Sequence, residues 1–224
     1  MKNIIITGST GMVGSAALKK CLARKDVGKV TSIVRRSSGI THPKLTEVIH
    51  DNFEDFLGLS EYLKDQDGCV YCIGIYTGQV PDDEFCKITV DYTKAFASEL
   101  KKQSPDVTFC FLSGMGADRN EKARAIFARE KGKAENYLIG LGFEKLRIFR
   151  PGYIYPVEPR KEPNFSYKLM RVMYKPFFSH FKSLSVTSHR LAAVMVDAAV
   201  TGRGQETMEN KDIMAYGRKR RAKK

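Results

Sequence analysis

Asn3-Ile4-Ile5-Ile6-Thr7-Gly8-Ser9-Thr10-Gly11-Met12-Val13-Gly14 decides the fold of this chain. Its opening residues, Asn3–Thr7, run apolar without polar alternation, as a strand buried on both faces requires. Val13–Arg24 follows with helical character. Between the two, glycines at 8, 11 and 14 give the spacing GxxGxxG, a variant of the dinucleotide fingerprint GxGxxG. Glycine permits the tight turn, lets backbone approach a pyrophosphate, and lets the helix pack close to the strand. The phosphates then meet the free N–H groups and positive dipole end of the helix. A glycine triplet is weak evidence in isolation, but its place between a buried strand and a helix supplies the context it needs. Thr7, Gly8, Thr10, Gly11, Met12, Val13 and Gly14 are therefore expected to cradle a dinucleotide.

Outward from this loop, short β-branched runs alternate with helical stretches. Val30–Val34 reads as a second strand, Glu47–His50 as a weaker third, Cys69–Ile73 as a fourth, Val107–Leu112 as a fifth and Lys145–Arg150 as a sixth. Asp82–Lys102 reads as one long helix, acidic at its start and lysine-rich at its end, and Glu121–Leu141 as another. Strand and helix in alternation imply an α/β fold, a Rossmann-type doubly wound parallel sheet with helices on both faces. Residues 1–152 are expected to form the dinucleotide-binding core, 153–217 a small C-terminal lid or substrate portion packed on the same domain, and 218–224 a basic tail. In the C-terminal portion, Phe165, Tyr167, Tyr174, Phe177, Phe178 and Phe181 lie among Lys168, Arg171 and Lys175. That stretch suits a core-capping helix with a basic rim, a wall over a substrate pocket, or a dimer surface. Thr187 and Ser188 can cap the next helix, and a short strand around Glu206–Met208 precedes a last one.

The end of the second strand bears on the nucleotide. An NAD site places a carboxylate there, about 20 residues past the glycine loop, to hold the ribose 2′-hydroxyl. This chain has Ser32-Ile33-Val34-Arg35-Arg36-Ser37-Ser38 instead. Arg35 or Arg36 can clamp a 2′-phosphate, and Ser37 or Ser38 can add a hydroxyl. NADP(H) is expected in preference to NAD(H).

Composition narrows the remaining classes. The 224 residues suit one large domain, and a hydrophobic content of 42% is too high for disorder. The net charge of +13 invites a nucleic-acid reading, yet its placement weakens it. Residues 1–150 hold 23 basic and 19 acidic side chains, residues 151–217 hold 9 and 6, and Arg218–Lys224 hold six and none. Almost half the excess is thus the tail, so nucleic-acid contact is expected, if anywhere, through that tail. No apolar run approaches the ~18 residues of a membrane span, and the start does not read as a signal peptide. Five cysteines, at 21, 69, 72, 86 and 110, suggest buried thiols in a reducing, cytoplasmic compartment. Cys69 and Cys72 are three apart on a strand and so face opposite sides, which argues against a shared metal or redox pair. His42, His50, His180 and His189 have no metal-ligand spacing, and no metal is expected. Neither GxSxG nor GxxxxGK[ST] occurs. A monomer or homodimer acting on a small molecule is the expected assembly.

The chain resembles the atypical, extended-type branch of the short-chain dehydrogenase/reductase superfamily. TGSTGMVG at Thr7–Gly14 matches its TGxTGxxG loop. Asp51 is similar to the Asp that lies by the adenine in this family. Cys72-Ile73-Gly74 matches the fourth-strand end that passes the cofactor, and Arg150-Pro151-Gly152 the RPG after the sixth strand. The segments Leu112–Asp118, Lys131–Glu135 and Glu209–Ile213 resemble the Tat-interacting-protein subgroup and its bacterial relatives. The resemblance covers the chain up to the tail.

What the resemblance implies for catalysis is incomplete here. In that superfamily a Tyr-x-x-x-Lys pair and a Ser at the fifth strand end move the proton, the Lys holding the nicotinamide ribose and lowering the Tyr pKa. Ser113 and Lys131 stand at the matching positions, but four residues before Lys131 is Phe127. Three readings follow. The protein is an NADPH-dependent oxidoreductase whose substrate, such as a quinone or flavin-like acceptor, needs little proton assistance, with water, Tyr153 or Tyr155 in reserve. Alternatively, it binds NADP(H) as a non-catalytic sensor or regulator. Or the register differs and the acid lies elsewhere, although Tyr137, six residues after Lys131, falls on another helix face. An epimerase would miss the same Tyr and is disfavoured.

Overall fold

The computed structural model describes residues 1–158 and 184–217. The aromatic stretch 165–181 and the basic tail 218–224 lie outside the described residues, so the expectations placed on them are not carried further.

Seven parallel strands form the main sheet: β1 (Lys2–Thr7), β2 (Val27–Val34), β3 (Leu45–Ile49), β4 (Gly68–Tyr71), β5 (Thr108–Leu112), β6 (Leu146–Arg150) and, late in the chain, β9 (Thr207–Glu209). Their order is β3-β2-β1-β4-β5-β6-β9, every neighbouring pair parallel. The order reverses between β1 and β4, which is where an open α/β sheet of this kind leaves a crevice at its strand C-termini. A small second sheet pairs β7 (Tyr153–Tyr155) with β8 (Ser185–Thr187).

Strand alternation explains why the sequence reads so apolar. Ile4 and Ile6 enter the core on one face of the sheet and Ile5 the core on the other, all three fully buried. Burial of such a side chain contributes about 1.5–3 kcal/mol, so the three together anchor the central strand. One face is covered by α1 (Met12–Ala23) and α6 (Ser188–Thr201), which pack on each other. The other carries α2 (Ser60–Leu63), α3 (Asp82–Cys86), α4 (Tyr92–Gln103) and α5 (Ile126–Gly140). A short α7 (Asn210–Ala215) follows β9, its start closed by a capping box between Glu209 and Asp212. Cys69 packs in the second core and Cys72 against the first, on opposite faces as the spacing requires. The C-terminal portion supplies a strand of the main sheet and, in Ser188–Thr201, a helix that packs on α1.

Two helices differ from their sequence readings. The expected Asp82–Lys102 helix contains a π-helical segment, Lys87–Asp91, between α3 and α4. The expected Glu121–Leu141 helix begins only at Ile126. Ahead of it, the Asp118 carboxylate accepts the N–H groups of Asn120, Lys122 and Ala123, and these bonds hold 118–123 in a turn instead.

A candidate dinucleotide crevice

The glycine loop works as its residue types require. Gly8 has φ +70°, and a Cβ there would sit 2.6 Å from the Cys72 carbonyl oxygen, so the position excludes a side chain on both counts. A Cβ on Gly14 would strike the Gly8 carbonyl, so Gly14 serves the close packing of α1 on β1. The N–H of Gly11 donates to Gly8 O at 2.9 Å, closing the turn, and Gly11 offers α1 no side-chain cap. The first-turn amides of α1 are left to meet an anion. Beneath the loop, the Ser9 and Ser32 hydroxyls share a buried hydrogen bond of 2.7 Å that ties it to β2.

Two cavities flank this loop and share Gly11, Cys72, Ile73 and Gly74 in their walls, so they form one crevice across the β1/β4 reversal. The smaller lobe, about 240 Å³, runs past Gly8 and Thr10 to Arg35 and Arg36. The larger, about 370 Å³, runs past Met12 and Val13 to Ser113, Phe127, Lys131, Pro151 and Gly152. Fourteen of the expected residues therefore meet in one place: Gly8, Thr10, Gly11, Met12, Val13, Arg35, Arg36, Cys72, Ile73, Gly74, Ser113, Pro151, Gly152 and Lys131. Thr7 lies just behind the loop, its Oγ1 buried and without a hydrogen-bond partner. Asp51 is exposed and lines neither lobe; Phe53, two residues on, lines the smaller one with Ile88 and Tyr92. The sequence reading missed all three. Phe53 carried no motif, and Ile88 and Tyr92 owe their place to the π segment.

At the Arg35 end, both guanidinium side chains are exposed and make no hydrogen bond or ion pair with another described residue. Ser37 differs from expectation. Its hydroxyl donates to the Glu47 carboxylate at 2.5 Å, so that proton is not free for a phosphate.

The Lys131 end is more apolar and more tightly organised. Lys131 is 6% exposed, donates from Nζ to Leu112 O at 3.0 Å, and lies 4.9 Å from the centroid of the Phe111 ring. Burial pulls its pKa down to about 8, against upward contributions from Glu135 and Cys72. Phe127 stands one turn before it, and a Cβ added to Gly114 would run into that ring. Phe127 and Gly114 thus form an apolar surface one turn before Lys131. Tyr137 points elsewhere, its hydroxyl paired with that of Ser98 at 2.6 Å between α4 and α5. Ser113 also turns away from a simple donor role. Its hydroxyl donates at 2.5 Å to Glu135, a fully buried carboxylate.

Glu135 is the centre of a network that the sequence did not disclose. Arg119 Nε reaches it at 2.8 Å, and Arg150 holds it through Nε at 2.9 Å and Nη2 at 2.5 Å. Arg150 continues to Glu209 and Arg119 to Thr207, both on β9. Burial alone would push the Glu135 carboxyl up; Arg150, Ser113 and Arg119 outweigh it and hold the group below the usual carboxylate range. The signal was present as the i, i+4 spacing of Lys131 and Glu135 together with Arg150, but no rule of pattern joins them across a sheet.

These features fit a dinucleotide. The glycine cradle has no room for side chains, two exposed cations without a partner among the described residues lie at one end, and a buried amine lies at the other. Among the described residues, no helix is long and apolar enough to cross a membrane. Comparison with known proteins agrees with the crevice. Rat protein HTATIP2 is 27% identical over 227 residues, covering 97% of this chain and 90% of that protein. "Protein FMP52, mitochondrial" of Meyerozyma guilliermondii is 28% identical over 152 residues, 67% of this chain and 64% of its own length. Among solved structures, Bordetella bronchiseptica WbmH in complex with NAD+ superposes with a TM-score of 0.71 at 20% identity, covering 93% of this chain and 75% of that one. At that identity the fold is what is shared. Residues 8–201, most of the chain, match the NAD(P)H-binding family, and with a Rossmann-type sheet around the matched loop the chain belongs to that family.

Proposed function

We propose that this protein is an NADP(H)-preferring oxidoreductase that reduces a small, apolar acceptor with little need of a protein acid, such as a quinone or a flavin-like ring. The observation that carries the reading is the crevice itself: exposed Arg35 and Arg36 at one end, buried Lys131 with Phe127 and Gly114 at the other. When bound, the nucleotide supplies the hydride. The chain binds and orients. Gly8 and Gly11 admit the pyrophosphate to the α1 terminus, Arg35 and Arg36 neutralise a 2′-phosphate, and Lys131 donates toward the ribose or the acceptor oxygen. Phe127 excludes water and offers an aromatic face to a flat acceptor. Ser113 is held by Glu135, and Lys131 is the cationic donor that the described lining offers at this end.

Fluorescence titration with NADPH and NADH tests the binding half; equal affinity, or none, overturns the assignment to Arg35 and Arg36. NADPH oxidation is then followed with quinones and with aldehydes. Quinones are expected to turn over and aldehydes to fail, with Phe127→Tyr gaining aldehyde activity. NADPH binding without oxidation by any acceptor would refute the enzymatic reading in favour of a non-catalytic binder.

A further inference from the structure

Glu47 lies on β3, opposite Ser32 of β2 in the parallel ladder. Its side chain reaches past the strand edge to the turn that follows β2. Oε2 accepts the Ser37 hydroxyl at 2.5 Å; Oε1 accepts the Ser38 N–H at 3.0 Å, shared with Oε2 at 3.2 Å. The turn closes on itself beyond this point, with Gly39 N–H donating to Ser37 Oγ at 3.1 Å and Ile40 N–H to Ser38 Oγ at 3.3 Å. One carboxylate therefore fastens the segment directly after Arg35 and Arg36 to the neighbouring strand. The two arginines make no hydrogen bond or ion pair with another described residue, and both line the smaller lobe.

A carboxylate close to an anion site would ordinarily oppose the anion. Here its oxygens are taken up by the Ser37 hydroxyl and the Ser38 amide, and its charge is directed into the turn. We propose that Glu47 is a positioning residue for nucleotide choice: by fastening Ser37 and Ser38 to β3 it fixes how the chain leaves β2, and with it where Arg35 and Arg36 meet the phosphate that distinguishes NADPH from NADH. The inference rests on the NADP(H) reading above. It adds a residue outside the crevice that acts through two residues inside it.

The test is a comparison of NADPH and NADH dissociation constants in wild type, Glu47→Ala, Glu47→Gln and Ser37→Ala, each confirmed folded by its unfolding transition. Freeing the turn reduces the fraction of molecules with the arginines in place, and affinity falls by that fraction, about fivefold for NADPH in Glu47→Ala. NADH, which has no 2′-phosphate, is expected to change by less than about twofold, a split that general loosening of the fold would not produce. Glu47→Gln keeps an acceptor for the Ser37 hydroxyl and is expected to restore most of the NADPH affinity. Ser37→Ala removes one of the bonds and should fall between wild type and Glu47→Ala, which keeps the test decisive if the latter does not fold. Parallel loss of both nucleotides, no loss of either, or tighter NADPH binding by Glu47→Gln would overturn the proposal. A wild type that prefers NADPH and a Glu47→Ala variant that keeps the preference refutes Glu47 alone. A wild type without preference refutes the NADP(H) reading and this inference with it.

Discussion

Replacing Lys131 with Met should make the nucleotide-free protein more stable and a worse nucleotide binder. Burial lowers the Lys131 pKa from 10.5 to about 8, although Glu135 and Cys72 pull it upward. The Cys72 thiol facing it is itself pushed up to about 12 by burial, so it stays protonated across the range of interest. At 1.36 kcal/mol for each pH unit of displacement, the folded state disfavours the ammonium by about 3 kcal/mol. The bond to Leu112 O returns about 1 kcal/mol, so Lys131→Met is expected to gain about 2 kcal/mol at pH 7, or about 4–8 °C in Tm for a chain of this size. The pH dependence gives the sharper signature. Between pH 8 and 10.5 the unfolded chain holds the Lys131 proton and the folded chain does not, so wild-type stability rises with pH through that window. Below pH 8 both states are protonated and the deficit is complete; above about 10.5 neither is, and it disappears. The assay is urea unfolding of both proteins from pH 6.5 to 10.5. A stability difference that does not change over this range, or a variant less stable throughout, would refute the claim that a buried cation is the cost. Loss of NADPH affinity in the same variant would place that cost in the service of binding.

Two further outcomes follow from the same site. Glu135→Gln should lose about 3 kcal/mol at pH 7, because it leaves the part-buried Arg119 and Arg150 facing a neutral group at a fully buried position. Its carboxyl is held below 4.5, so the wild-type advantage should persist above that pH and shrink as pH falls through the lowered pKa; equal deficits by urea unfolding at pH 7 and 3.5 would count against the ion network. Gly8→Ala should abolish NADPH binding by calorimetry, since the left-handed backbone costs about 1–2 kcal/mol for a residue with Cβ and the Cys72 carbonyl must also move. Unaltered binding would show that the nucleotide does not use this loop.

Much of this was legible in the sequence because it depends on local rules. The Asn3–Gly14 segment combines a buried-strand composition with a turn that only glycine can make, and both follow from a dozen consecutive residues. The doubly wound parallel sheet also follows, since right-handed crossovers leave few alternatives for a βαβ chain. What escaped is non-local. Nothing in Lys87–Asp91 signals a π segment: it contains no Gly or Pro, and one extra residue per turn leaves the apolar pattern nearly intact. That segment nevertheless sits between α3 and α4 where Ile88 and Tyr92 face the nucleotide lobe. Ser113 and Lys131 were identified by resemblance, but Ser113 donates to Glu135, which depends on a helix, two strands and a loop meeting. The sequence shows that no carboxylate stands at the end of β2, but not that another, Glu47, reaches the turn after β2 from the adjacent strand.

The β6–β9 pairing sets an order of events for a chain made from its N-terminus. β9 supplies Glu209 to Arg150 and Thr207 to Arg119, the two cations that neutralise Glu135. Until residues 207–209 emerge, the edge of β6 is open and these arginines lack their outer partners. The glycine cradle, by contrast, needs only β1, β4 and α1, all complete within the first half of the chain. A nascent chain thus completes the glycine-loop end of its crevice early and the Ser113 end last. Nucleotide present during synthesis would have a partly formed site to bind before Ser113, Glu135 and Arg150 are locked together.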